Sequence, residues 1–158
     1  MNGEKLEVYN ECRNQRKSDV YITLTMPDLK VLSIGGAVEL ITPEPIRYED
    51  LTVDVTGVAA FKMKVKSKLF RMSASGVLSG EIVGETGNLK MDISGVGKLD
   101  ASNFKSVNCK IEVSGVARIA VYAEERLDAS VSGMGKISYA GKPVVNANSS
   151  GIGRISRL

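Results

Sequence analysis

Along most of the chain, apolar and polar residues alternate one for one, and the alternation breaks wherever a hydroxyl residue, a glycine and an apolar residue follow one another. These breaks are Thr56-Gly57-Val58, Ser75-Gly76-Val77, Ser94-Gly95-Val96, Ser114-Gly115-Val116, Ser132-Gly133-Met134 and Ser150-Gly151-Ile152. Successive glycines lie 19, 19, 20, 18 and 18 residues apart. A degenerate earlier copy, LKVLSIGGAVEL (29–40), places Gly36 in the same position. Two residues before each glycine stand Val55, Ala74, Ile93, Val113, Val131 and Ser149; four before stand Val53, Met72, Met91, Ile111, Ala129 and Ala147. Six before stand Leu51, Phe70, Leu89, Cys109, Leu127 and Val145, while the column three before is polar throughout, from Asp54 to Asn148. A period of two is the mark of a strand with one buried face.

After the glycine the phase shifts. An apolar column (Val58 through Ile152) is followed by a mostly small one (Ala59, Leu78, Gly97, Ala117, Gly135, Gly153). The fourth column is apolar again, with Gly80 the exception. A phase break at a fixed glycine predicts a corner, which glycine can turn through positive φ or a bulge. A unit of ~19 residues at ~3.3 Å each traces roughly 60 Å of chain, about one circuit of a narrow tube with two or three short strands. A propeller blade needs a longer unit, and an antiparallel sandwich gives no reason for like residues to recur once per circuit. The pattern therefore predicts an all-β fold: a parallel β-helix (solenoid) with coils of about 19 residues, right-handed by the general rule for parallel crossovers. Residues 1–28 read as an irregular first coil or its remnant, residues 29–158 as the repeats of a single domain, and TPEPIRYED (42–50) as a loop between coils.

Composition narrows the chemistry. The 158 residues include no His, which removes the usual general base, metal ligand and neutral-pH switch. With a Ser-His pair impossible, the Ser/Thr column reads as stacked hydroxyls at a turn, and no catalytic residue is assigned. Cys12 and Cys109 have no zinc or redox spacing, and a disulfide between them stays open. Cys109 falls in a core column. Glu124, Glu125 and Asp128 in AEERLD lack the ligand spacing of a calcium loop, so neither metal nor cofactor is expected. No run of some 18 apolar residues is present, and the start MNGEKLEVYNE carries no basic-then-apolar leader. Either a cytoplasmic protein or a piece of a longer exported precursor would look like this.

The segment VYITLTMPDLKVLSIGG, followed by repeated Ser-Gly-apolar units, resembles the bacterial family of the putative auto-transporter adhesin, head GIN domain, over roughly residues 20–158. The resemblance implies a right-handed parallel β-helix in exported, periplasmic or cell-surface proteins, and carries no catalytic motif. Family members carry more sequence ahead of this region, which favours the reading as part of an exported precursor.

The column three after each glycine runs Ala60, Ser79, Lys98, Arg118, Lys136, Arg154. Stacked coils would hold these four cations ~5 Å apart in a line, suited to a glycan or another polyanionic envelope component. The same line would arise on a plain solvated face, with Asp54, Asp92 and Glu112 compensating across the corner. Lys62, Lys64, Lys66 and Lys68 in FKMKVKSKLFR read as a solvated strand face, without the interleaved aromatics of a nucleic-acid surface. The leading expectation is a non-enzymatic surface protein that binds an anionic ligand through Lys98, Arg118, Lys136 and Arg154. The alternatives are a β-helical polysaccharide lyase or hydrolase and a structural spacer. Ending inside a repeat, SSGIGRISRL predicts an uncapped coil that a second copy, a folded-back segment or further chain would cover.

Overall fold

The computed structural model describes Thr23 and residues 29–158. The reading of residues 1–28 as a first coil therefore falls, but for Thr23, outside the described residues. Ten strands follow in order: β1 Val31–Ile34, β2 Ala37–Ile41, β3 Ile46–Val55, β4 Val58–Ala74, β5 Val77–Ile93, β6 Val96–Val113, β7 Val116–Val131, β8 Met134–Gly141, β9 Val144–Ser149 and β10 Arg154–Arg157. Every pairing is parallel, along the order β1-β3-β4-β5-β6-β7-β8-β10, with β2 on β4 and β9 on β7. This is a parallel β-solenoid of about seven turns.

In the central coils the hydrogen-bonded ladder runs round the bends unbroken. β4 to β7 are each 16 to 18 residues long and are interrupted only at the Ser-Gly corner, not divided into two or three short strands. Shorter strands occur only in the outer coils, where Pro43 and Pro45 separate β2 from β3 and Pro143 separates β8 from β9. Proline has no N–H to give the ladder. The loop expected over 42–50 is accordingly shorter than the sequence suggests. Its second half, from Ile46, is strand and pairs with Val65 onward.

The alternation fills the tube. Val53, Met72, Met91, Ile111 and Ala129 stack through its interior beside Leu51, Phe70, Leu89, Cys109 and Leu127, all buried. Phe70 and Phe104 meet edge to face at 5.4 Å, the one aromatic pair among the described residues. In the last coil the same columns lose their cover: Val145 is 37% exposed and Ala147 and Ser149 are exposed.

The corner glycines have a different reason from the one their spacing suggests. Positive φ among the described residues occurs at Gly80, Gly84 and Gly141, none of them an anchor. A Cβ on Gly76, Gly95 or Gly115 would instead stand 1.9 Å from the carbonyl oxygen of the glycine one coil before. Close stacking of backbone on backbone forbids any side chain there. Around it the hydroxyl residues act as staples. The backbone N–H of Ser94 and Ser132 donates to the preceding coil at 2.9 and 2.8 Å, to the Ala74 and Val113 carbonyls. Their hydroxyls reach the same oxygens at 3.4 and 3.5 Å.

Candidate ligand-binding face

Repeat length varies from 18 to 20 residues, yet the columns beside the Ser-Gly corner stay in register. The irregularities sit elsewhere, between Glu81 and Gly84 in β5 against β6, and at Ala101/Lys105 and Ser106/Asn108 in β6 against β7. Insertions taken up at the far bends leave the corner and the five residues after it stacked like on like.

That register brings the four candidate cations together. Lys98 pairs with Arg118, Arg118 with Lys136 and Lys136 with Arg154, below Ala60 and Ser79 in the same column. All four are exposed. No ion pair within 4.0 Å joins any of them to a carboxylate among the described residues. The expected compensation by Asp92 and Glu112 does not occur. Those carboxylates lie on the strand before the corner and are held by lysines two residues away, Lys90 at 3.5 Å and Lys110 at 2.8 Å. The reason is strand geometry: residues i and i+2 share a face, whereas the corner turns residues six apart onto different sides. Hydrogen bonding to Lys110, reinforced by its charge, holds the Glu112 carboxyl below the usual value.

Several other outward charges are paired as well, though Lys62, Arg71 and Lys105 are in no ion pair among the described residues. Lys66 meets Glu85, Lys68 meets Glu49 at 2.5 Å, and Lys64 donates to the Pro43 carbonyl at 2.9 Å. Two of the four lysines of the FKMKVKSKLFR run thus meet carboxylates, and all four lie on an exposed strand face. Arg126 makes a two-pronged contact with Asp128 at 2.7 and 3.1 Å, and Asn146 adds a third hydrogen bond. Asp128 is thus engaged by its neighbours, with its carboxyl held below the usual value first by Arg126. Cys109 is a free buried thiol whose pKa burial pushes up to about 12.

One column carries more than the sequence reading gave it. Val58, Val77, Val96, Val116 and Met134 stack in register, and each is 46% to 58% exposed; Ile152 at the next corner is 84% exposed. The small column that follows faces the core instead, Ala59, Leu78 and Ala117 being buried. Apolar residues thus point to solvent two positions before Ala60, Ser79 and the cations. The signal was in the sequence: Val96 and Lys98 have the same parity, so an outward lysine entails an outward valine.

Across the corner lies a shallow open groove of about 220 Å³ lined by Ser73, Asp92, Ser94, Glu112, Ser114 and Ser130. Its two carboxylates sit one above the other on neighbouring coils. Among the described residues, no three of the side chains that usually bind metals converge on a common point.

With this geometry in view, the family profile of the putative auto-transporter adhesin, head GIN domain, matches residues 1–143. The chain belongs to this family. The match takes in nine tenths of the chain and stops just short of β9 in the last coil of this GIN domain. No curated protein matches the chain. Among solved structures, the GIN domain is similar to a putative lipid binding protein from Parabacteroides distasonis ATCC 8503, at 20% identity and a TM-score of 0.67. The likeness covers 81% of this chain and 52% of that one, so the GIN domain spans about half the length of its structural neighbour. At that identity the likeness speaks for the fold.

Proposed function

We propose that this GIN domain is a non-enzymatic binding module of the bacterial envelope or cell surface, and that it holds an anionic ligand along the ladder Lys98-Arg118-Lys136-Arg154. The observation that carries the reading is a charge contrast. Before the corner, Lys90, Lys110 and Arg126 each meet a carboxylate and Arg71 alone in their neighbourhood does not, while these four are stacked, exposed and unpaired among the described residues. Like charges directly opposite one another destabilise a sheet. A row of four is therefore a cost that an anionic ligand would offset. The family's name, an adhesin head, favours the same class, and the structural neighbour's name makes a phosphate-bearing lipid one source of the anion beside an acidic glycan.

The rival reading, a β-helical glycan hydrolase or lyase, needs a cleft where catalytic groups converge, and for hydrolysis a carboxyl that stays protonated to act as general acid. In the groove beside the corner, Glu112 is driven the other way by Lys110. The groove is open and its carboxylates are stacked rather than opposed. These features favour binding over turnover.

The test is a glycan array together with a soluble polyanion, dextran sulfate, comparing the wild type with the variant K98S/R118S/K136S/R154S. The reading expects salt-sensitive binding that the variant loses by at least about tenfold. Equal profiles for the two proteins would remove the ladder from consideration.

A further inference from the structure

Resting on the ladder as the anion site, we infer that the anion is presented on a lipid bilayer, and that this face lies flat on an anionic membrane with its apolar column in the acyl boundary. The argument starts from the side chains beside the cations. Val96, Val116 and Met134 stand two residues before Lys98, Arg118 and Lys136 on the same outward face, roughly 7 Å away along each strand. Stacked from Val58 to Met134, the column is an apolar rail roughly 19 Å long, with exposed Ile152 at the next corner beyond it. A soluble acidic glycan would engage the cations and leave that rail in water. A bilayer engages both, because apolar side chains enter the headgroup boundary while cations meet lipid phosphates.

The third outward column fits the same partner. Next to the cations stand Asp100, Ala120, Ser138 and Ser156, so these four coils present four cations to one carboxylate. That carboxylate, Asp100, accepts the hydroxyl of Ser102 at 2.6 Å and its backbone N–H at 3.0 Å, and offsets part of the charge of Lys98 alone. Charge complementarity therefore selects an anionic surface, and the rail selects an apolar layer beneath it.

The experiment is flotation of the full chain with vesicles of phosphatidylcholine alone or mixed with phosphatidylglycerol. Because the chain has no Trp, Met134→Trp supplies a unique fluorophore on the rail, and Val144→Trp, exposed on β9, an off-face control. The wild type floats with the anionic vesicles and not with the neutral ones. V96S/V116S/M134S loses at least about fivefold of that binding, yet keeps its far-UV spectrum and its binding to dextran sulfate. Met134→Trp emission shifts to the blue on anionic vesicles, whereas Val144→Trp emission does not. Since the Trp variants keep the rest of the rail, their readout stands even if the triple variant fails to fold. Dextran sulfate binding without flotation, or a blue shift from the control alone, overturns the membrane inference and leaves the anion site standing. Loss of neither interaction in K98S/R118S/K136S/R154S overturns both.

Discussion

At the scale of single residues, two glycines in one coil have opposite tasks. A Cβ at Gly95 would stand 1.9 Å from the Gly76 carbonyl oxygen, whereas a Cβ at Gly97 would meet nothing closer than 3.5 Å. Gly97 also shares its column with Ala59 and Ala117 and lacks positive φ. Gly95→Ala should therefore cost about 1–3 kcal/mol through forced separation of the coils. Gly97→Ala should be neutral or stabilise by about 0.4–1 kcal/mol, by restricting the unfolded chain. Urea titrations of both variants check the contrast; equal destabilisation would mean that stacking is not what requires Gly95. The positions of the corners were legible from the spacing alone. Their cause was not, because spacing records that glycine is needed and not whether φ or a neighbouring backbone needs it.

At the scale of the coil, burial divides columns that the sequence makes look alike. Ile111 in the middle of the stack is fully buried, whereas Val145 in the last coil is 37% exposed. Ile111→Ala should cost about 2–5 kcal/mol and Val145→Ala about 1 kcal/mol or less, read from denaturation midpoints. Cys109 lies in the same interior. Its folded-state pKa, about 12, is raised above the ordinary 9.0. The stability this contributes is full below pH 9 and is lost as pH rises toward 12, because the unfolded thiol ionises first. In a Cys12→Ser chain, Cys109 should resist thiol reagents at pH 8 until denaturant is added; rapid native labelling would contradict its burial. Inward and outward parity before each corner was legible, from Val53 to Ala129. After the corner, the outward valines were not recognised, since apolar columns are read as core by default and only the parity of Lys98 corrects that reading.

At the scale of the whole molecule, the solenoid sorts its charge by side. Before the corner, Lys90, Lys110 and Arg126 are neutralised by Asp92, Glu112 and Asp128, with Arg71 left open; after it, four cations in a row are left open. Selectivity for the ladder therefore depends on the paired carboxylates staying ionised. Glu112 is held low by Lys110, Asp128 by Arg126 and Glu85 by Lys66. With folded-state values below the unfolded ones, these groups contribute stability that is present above the unfolded value and lost as pH falls through the folded one. They are exposed pairs, so that contribution is small, but the charge change is not. Below the ordinary carboxylate range their protonation would uncover Lys110, Arg126 and Lys66 and reduce the contrast between the two sides. K98S/R118S/K136S/R154S, unable to hold dextran sulfate at neutral pH, should then regain binding on acidification while the wild type changes less. A variant that stays inert while still folded at low pH would show that the paired side is silent for some reason other than its carboxylates.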